Sequence, residues 1–299
     1  MDTRQATNWM IIFALLLGLS ACSTPTAIVP TQTVTLPPPT ATVTFTPSPV
    51  PPTFTPTPLA CLTQPGTVKL ETIPFGNNLA QDFLVYIPPC YTEMTNLRYP
   101  VLYLLHGQTY TDDQWVRLGV PQIADALIHS NEAVPFIVVF PDDHYWNATP
   151  GEGFGDRLIQ NIIPYMDTNY RTVADREHRA LGGLSRGGGW TVKLGFEHPD
   201  LFGALGLHSP AVFKDNAPYV ERILKGIPAE LRPQLWLDVG DSDRELESVQ
   251  AFEEILRRND YLHEYHFYSG DHSEAYWSRH VEEYLRWYAQ TWQAEPAVP

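Results

Sequence analysis

The sequence predicts an α/β domain with a mostly parallel central sheet and helices on both faces. Segments typical of strands alternate with segments typical of helices through residues 61–299, as in folds built on parallel sheets. Two of the strand-like segments, 99–105 and 135–140, are apolar almost throughout, which is typical of strands covered on both faces. Residues 61–299 also have the usual length of one such domain.

Residues 9–21 are mostly apolar but too few for a comfortable permanent membrane span, and they end in Leu19-Ser20-Ala21 before Cys22. Small residues before a cysteine resemble a bacterial lipobox. We therefore expect residues 1–21 to be a lipoprotein signal peptide and Cys22 to carry the lipid. The mature protein would then be exported and lipid-anchored to the outer face of a bacterial membrane, at the cell surface or in the periplasm. An ordinary signal peptide with an incidental cysteine is the alternative.

Residues 23–60 are rich in proline and threonine and contain no charged residue. Such a composition cannot bury a core, and it favours a disordered, extended chain that rises about 3.1 Å per residue. Together with Cys22, this segment is a predicted stalk, residues 22–60, with a reach on the order of 100 Å. The domain at 61–299 would stand away from the membrane at its end.

The chain has three cysteines, and a lipidated Cys22 leaves Cys61 and Cys90. In an exported protein an even pair favours a disulfide, here between the start of the domain and the loop after the strand-like residues 85–87. Two free buried thiols are the alternative.

The formal net charge of −15 lies entirely in the domain, because Asp2 and Arg4 cancel and the stalk is neutral. This charge disfavours binding to nucleic acid or to an anionic membrane surface. We expect no metal or cofactor. The segments 142–144 and 241–243 offer oxygen ligands, but the chain has no H-E-x-x-H motif and no Cys/His cluster at zinc spacing, so solvated loops explain them better.

The segment Gly183-Leu184-Ser185-Arg186-Gly187 fits the G-x-S-x-G motif. The apolar residues 179–182 before it are typical of a buried strand end, and the residues after it form a helix-length segment that stops at Pro199. A strand, a glycine turn and a helix make a nucleophile elbow, in which glycines remove clashes around a strained serine. Ser185 is therefore the predicted nucleophile. The backbone N–H that follows it lies at a helix N-terminus, where an oxyanion is stabilised.

A serine nucleophile needs an orienting acid, and a polar loop follows the strand-like residues 234–239. Asp243 is the first choice, because the Gly240-x-x-Asp243 spacing lets the loop turn before it presents the carboxylate. Asp241 in the same loop and Asp238 inside the strand remain alternatives.

The predicted base is His272. Four histidines, His106, His144, His208 and His272, lie at probable strand ends, and of these only His272 follows both the acid and the last strand-like segment. The order serine, acid, histidine is then complete.

These residues belong to an ordered set of matches between about Gly66 and Trp287. Through this set the sequence resembles the esterase family of α/β-hydrolases that contains feruloyl esterases, S-formylglutathione hydrolases, enterochelin-type esterases and mycolyltransferases. The matching segments are 101–107 with Asp113 and Trp115, then 140–142, 158–172, 183–187, 198–202, Gly240-x-x-Asp243, and Gly270-x-His272 with Trp277.

The resemblance implies an α/β-hydrolase fold and carboxylic ester hydrolysis, with Ser185, Asp243 and His272 as the catalytic triad. It also implies an oxyanion hole formed by the backbone N–H groups of Gln108 and Arg186. Two positions depart from the family, whose members often carry methionine at position 186 and glycine at the position of Asp143. Because the oxyanion hole uses backbone groups, Arg186 does not compromise it, although its side chain is expected to alter the pocket.

The expected substrate is a sugar-linked or aryl ester, such as a feruloyl or acetyl ester, bound in a cleft lined by aromatic residues. The candidate substrate-binding residues lie on or beside loops that follow strands, and each of the aromatic ones could instead serve packing: Trp115, Asp142, Tyr145, Trp146 and Trp277. Two alternatives to an ester hydrolase remain. One is an acyltransferase to a carbohydrate acceptor, and the other is a lipoprotein that binds glycans without catalysis.

Overall fold

The computed structural model describes residues 60–75, 79–143, 153–212 and 217–293. The predicted signal peptide, the lipidation site at Cys22 and all but the last residue of the predicted stalk lie outside these residues. Within the described part of the chain, no helix combines the length and apolarity that a membrane crossing needs.

A single sheet of eight strands forms the centre of the domain, in the order β1-β2-β4-β3-β5-β6-β7-β8. The pairings β1–β2 and β2–β4 are antiparallel, and all the others are parallel. The strands are β1 Thr67–Phe75, β2 Leu79–Ile87, β3 Val101–Leu105, β4 Ile137–Pro141, β5 Arg179–Leu184, β6 Ala204–His208, β7 Gln234–Gly240 and β8 Glu264–Tyr268. The prediction of a mostly parallel sheet is confirmed.

Helices cover both faces of this sheet. The helices are α1 Gln114–Arg117, α2 Val120–His129, α3 Phe154–Arg157, α4 Ile163–Asn169, α5 Arg186–Glu197, α6 Ala217–Gly226, α7 Leu246–Arg258 and α8 Glu274–Gln290. A π-helical turn, Leu158–Ile162, joins α3 to α4, and short 3₁₀ turns occur at Ala60–Thr63 and Ala229–Leu231.

The core consists of two apolar layers, one on each face of the sheet. Residues of α4, α5, α6 and α7 build the first layer, and residues of α2 and α8 build the second. The strands β3 and β4 are buried at every position, since they lie inside the sheet between both layers. Each large apolar side chain fully buried in this way contributes roughly 1.5–3 kcal/mol.

The register of the parallel strands aligns their carboxyl ends. Leu105 of β3 pairs with Gly183 of β5, Leu184 pairs with His208 of β6, and His208 pairs with Asp238 of β7. The loops that follow these strands therefore meet at one edge of the sheet, which is where ligands bind in open α/β sheets.

A disulfide between Cys61 and Cys90 joins the 3₁₀ turn before β1 to the loop after β2, with the two Cα atoms 5.1 Å apart. This is the bond expected from the even pair of cysteines. It fastens the start of the domain to the antiparallel edge of the sheet.

Candidate active site

Ser185 lies between β5 and α5 with φ 52° and ψ −119°, which is a strained conformation for a residue other than glycine. Its N–H donates to the carbonyl of His208 (3.0 Å), and its carbonyl accepts from the N–H of Gly189 and Ala211. A Cβ at Gly187 would lie 2.2 Å from the carbonyl oxygen of Leu105. The turn therefore requires glycine there, and the surrounding hydrogen bonds hold the serine in its strained conformation.

Three side chains meet above this turn in a hydrogen-bonded series. Nε2 of His272, in the loop between β8 and α8, lies 2.8 Å from Oγ of Ser185. Nδ1 of the same ring lies 2.8 Å and 3.0 Å from the two carboxylate oxygens of Asp243, in the loop between β7 and α7. Trp277 packs edge-on against the His272 ring, with centroids 4.9 Å apart. The arrangement orients the imidazole between an acid and a hydroxyl.

Asp243 is suited to remain ionised at this position. Burial raises the pKa of its carboxyl, but hydrogen bonds from the His272 ring and from the N–H of Glu245 (2.7 Å) outweigh burial and hold the pKa below its usual range. The other two candidate acids lie elsewhere. Asp241 accepts from the N–H of Gly270, and Asp238 is fully buried beneath the site.

Of the two residues predicted to supply oxyanion donors, Arg186 directly follows Ser185 in the chain, and Gln108 lines the same cavity as Ser185. Arg186 is the first residue of α5, so its N–H is one of the free donors of a helix N-terminus. In the other loop, Nδ1 of His106 lies 2.8 Å from the carbonyl oxygen of Gly107, and Nε2 accepts from the N–H of Asp143 (2.9 Å). The ring therefore carries its proton on Nδ1. Because C=O and N–H point opposite ways in a trans peptide, this bond directs the N–H of Gln108 away from the His106 ring.

An open cavity of about 340 Å³ lies against Ser185 and His272. It is lined mainly by polar groups, with two aromatic side chains. The lining residues are Gly107, Gln108, Thr109, Tyr110, Leu184, Ser185, Arg244, His272, Ser273, Glu274 and Trp277.

The predicted substrate-binding residues differ in whether they line this cavity. Trp277 lines the cavity, whereas Trp115 is not among the described residues that line it. Its side chain is buried, and its indole N–H donates to the carbonyl of Leu105 (2.9 Å), so it packs against the end of β3.

Asp142 is also buried, with its Oδ1 atom 3.4 Å from Nε2 of His106, and it is not among the described residues that line the cavity. Tyr145 and Trp146 lie outside the described residues.

The two departures from the family pattern contact each other. Nη2 of Arg186 lies 2.5 Å from Oδ2 of Asp143, and the indole N–H of Trp190 donates to the same oxygen (3.2 Å). Burial raises the pKa of the Asp143 carboxyl, and the Arg186 guanidinium opposes that rise. The Arg186 side chain is thus engaged with Asp143 and is not among the groups that line the cavity.

Gln114, Arg244 and Glu274 are among the residues of the site that the sequence interpretation does not name. Gln114 accepts from the N–H of Gly107 (2.8 Å), and Glu274 and Arg244 line the cavity. Adjacency along the chain was the available signal for two of them, because Arg244 follows Asp243 and Glu274 lies two residues after His272. Gln114 gave no such signal, since its contact depends on how α1 packs.

A buried polar network supports the site from below. Oδ1 of Asp238 lies 2.7 Å from Nδ1 of His208 and accepts from the indole N–H of Trp236, while Oδ2 accepts from the hydroxyls of Tyr276 and Tyr284. Because the carbonyl of His208 also accepts from the nucleophile's N–H, this network lies directly behind the elbow. Among the described residues, no three His, Cys, Asp or Glu side chains cluster so as to hold a metal ion.

Comparison with known proteins extends these observations. The model of the Esterase family, described as "Putative esterase", matches residues 78–288. An endo-1,4-beta-xylanase/feruloyl esterase of Xylanibacter ruminicola is 36% identical over 140 residues, which is 43% of this chain and 19% of that protein. Endo-1,4-beta-xylanase Y of Acetivibrio thermocellus is 32% identical over 137 residues, 42% of this chain and 12% of that protein. The chain thus spans less than a fifth of the length of these two relatives.

Solved structures of esterases share the fold. The feruloyl esterase module from Clostridium thermocellum, solved with sinapinate, has a TM-score of 0.69 at 20% identity and covers 82% of this chain and 96% of that one. S-formylglutathione hydrolase from Staphylococcus aureus has a TM-score of 0.63 at 18% identity, covering 76% and 98%. These structures share the α/β-hydrolase fold with this chain, and the family match over most of the domain shows that the chain belongs to the Esterase family.

Proposed function

We propose that this protein is a carboxylic ester hydrolase that cleaves its ester through an acyl-enzyme intermediate on Ser185. The observation that carries the proposal is the His272 ring, whose Nε2 lies 2.8 Å from the Ser185 hydroxyl while its Nδ1 contacts Asp243. A serine is a weak nucleophile until a positioned base accepts its proton, and this geometry supplies the base.

In the proposed reaction, Oγ of Ser185 attacks the ester carbonyl carbon as Nε2 of His272 accepts the hydroxyl proton. The Asp243 carboxylate keeps Nδ1 protonated and stabilises the imidazolium. The backbone N–H groups of Gln108 and Arg186 stabilise the oxyanion, a contribution of roughly 10²–10³ in kcat for each donor. His272 then gives its proton to the departing alcohol, and a water activated by the same ring releases the acid.

The proposed substrates are aryl or sugar-linked esters of the feruloyl or acetyl type. The names of relatives support this class, since one is a xylanase/feruloyl esterase and one structural neighbour was solved with sinapinate. The cavity supports it as well, because Tyr110 and Trp277 offer aromatic surface beside polar lining groups.

The test is a panel of methyl ferulate, methyl sinapinate, acetylated xylan, S-formylglutathione and a medium-chain p-nitrophenyl ester, compared by kcat/KM. We expect the hydroxycinnamate or acetyl-sugar esters to exceed the other two at least 10-fold. A preference for the thioester or the medium-chain ester would contradict the substrate class. Product analysis with an added sugar acceptor tests the acyltransferase alternative, which predicts a sugar ester in place of free acid.

The location is also a proposal: the protein is exported and held at a bacterial membrane by a lipid on Cys22. The lipobox-like residues 19–22 and the Cys61–Cys90 disulfide support it, because disulfides persist in oxidising compartments. Cell fractionation tests it. Wild-type protein should sediment with membranes and Cys22→Ala protein should not, and equal distribution of the two would contradict the anchor.

A further inference from the structure

The ion pair between Asp143 and Arg186 lies in an unusual place. Both side chains are almost fully buried, with 6% and 11% of their surfaces exposed. Oδ2 of Asp143 also accepts from the indole N–H of Trp190, one turn along α5. The carboxylate is thus fixed to two side chains of the helix whose first residue supplies a proposed oxyanion donor.

The backbone of Asp143 is fixed to the other donor. Its N–H donates to Nε2 of His106 (2.9 Å), and Nδ1 of that ring donates to the carbonyl of Gly107 (2.8 Å). This carbonyl belongs to the peptide unit that carries the N–H of Gln108. A continuous series of hydrogen bonds therefore runs from Arg186 through Asp143 and His106 to the Gln108 peptide.

We propose that Asp143 and Arg186 act together as positioning residues that set the two oxyanion donors relative to each other. The proposal rests on the proposed function, because it concerns the N–H groups of Gln108 and Arg186. Among the described residues, neither Asp143 nor Arg186 lines the cavity, and the hydrogen bonds above connect both side chains to the backbone groups of the two donors. Small displacements of such donors are costly to catalysis, since a preorganised site must be held to within about 0.5 Å.

The charged pair suits this role. A charge-assisted hydrogen bond is short and directional, and here it joins the segment after β4 to the start of α5, 43 residues apart in the chain. Loss of one partner leaves the other buried without its counter-charge, which displaces it toward solvent. The two residues should therefore behave as one unit, so that the loss from removing both is no greater than the loss from removing one.

The experiment compares Asp143→Ala, Arg186→Met and the double variant by kcat and KM on p-nitrophenyl acetate, with a thermal melt of each. Asp143→Asn, which keeps the side chain's volume, is a second variant in case Asp143→Ala does not fold. The matched control is Asp167→Ala, which breaks a partly buried ion pair with Arg179 (2.9 Å) at the opposite end of β5.

We expect each single variant to lose 10- to 100-fold in kcat with KM changed less than 3-fold, because oxyanion donors act mainly in the transition state. The double variant should lose no more than the worse single variant, and Asp143→Asn should fall between wild type and Asp143→Ala. The Asp167→Ala control should melt at a lower temperature with kcat within 2-fold of wild type.

Two results would overturn the proposal: single variants that lose no more kcat than the Asp167→Ala control, or losses that multiply in the double variant. Failure of the proposed function has a different signature. A folded wild-type enzyme without activity on the ester would remove both proposals, whereas an active wild type with fully active Asp143 variants removes the positioning proposal alone.

Discussion

The side-chain amide of Gln114 connects to Glu274 across the mouth of the active site. Nε2 of Gln114 donates to Oε1 of Glu274 (3.2 Å), while Oε1 of the same amide accepts the N–H of Gly107 (2.8 Å). Glu274 begins α8 two residues after His272, and Nη1 of Arg117 donates to the same carboxylate oxygen (3.0 Å). One buried amide thus links the loop of the base to the loop of an oxyanion donor. An amide is suited to this position because it can donate and accept at once.

Replacement of Gln114 should therefore impair turnover. We expect Gln114→Leu to lower kcat about 10-fold, a barrier increase of about 1.4 kcal/mol, with little change in KM. Gln114→Glu should lose at least as much, because it removes the donor and places a second carboxylate beside Glu274. Steady-state kinetics would measure both. Gln293→Leu, which removes an exposed amide that donates to the carbonyl of Glu132, is the control, and equal kcat for it and Gln114→Leu would refute the link.

The carboxylate of Asp238 should be the costliest polar group in the core to remove. It accepts hydrogen bonds from the side chains of Trp236, Tyr276 and Tyr284 and contacts the His208 ring, all at or below 2.9 Å. We expect Asp238→Ala to lower the free energy of unfolding by about 3–5 kcal/mol, since it leaves buried donors unpaired. Urea denaturation checks this. Glu254→Ala, at an exposed ion pair, should change stability by less than about 0.5 kcal/mol, and a similarly small effect for Asp238→Ala would contradict the network's role.

Asp112 should make stability depend on pH. Burial raises the pKa of its carboxyl to about 6, the Asp142 carboxylate adds to the rise, and His106 opposes it. The unfolded chain titrates this group near about 3.9. Between these pH values the folded protein binds more protons than the unfolded one, so its stability falls as pH rises from about 4 to about 6 and stays lower above that range.

Asp112→Asn removes this titration. We expect the Tm of the variant minus the Tm of the wild type to be about 2 °C larger at pH 7.5 than at pH 4. The shift is small because the half-buried side chain is partly screened by solvent. Differential scanning calorimetry at several pH values measures it. Asp200→Asn, at an exposed carboxylate, controls for the loss of charge, and an equal pH trend in both variants would exclude Asp112 as the cause.

The parts of this structure that the sequence predicts depend on residues that lie close together in the chain. The strands β3 and β4 are continuous apolar runs, and the elbow at Ser185 depends on glycines within two residues, so both can be seen in short segments. Ser185, Asp243 and His272 occur along the chain in the order of the strands that precede them, β5, β7 and β8. The structure brings the three predicted residues into contact because the register of β5 to β8 aligns their carboxyl ends.

The sequence does not predict features that depend on the direction in which a side chain points. The sequence predicts Trp115 at the cleft, but the direction of its side chain depends on how α1 packs, and its indole points inward onto Leu105. The contact between Asp143 and Arg186 joins the segment after β4 to the start of α5, and only the folded sheet brings these two together. Each residue alone looked like an isolated departure from the family pattern.

The central claim is that Ser185 is the nucleophile activated by His272. A fluorophosphonate probe followed by peptide mass spectrometry tests it most directly, because the probe reacts with a serine hydroxyl only when a base has activated it. We expect one phosphonyl adduct per folded wild-type molecule, located on Ser185, and neither adduct nor p-nitrophenyl acetate hydrolysis in a folded Ser185→Ala variant. A folded wild-type protein that stays unlabelled, or a Ser185→Ala variant that retains full activity, would contradict it.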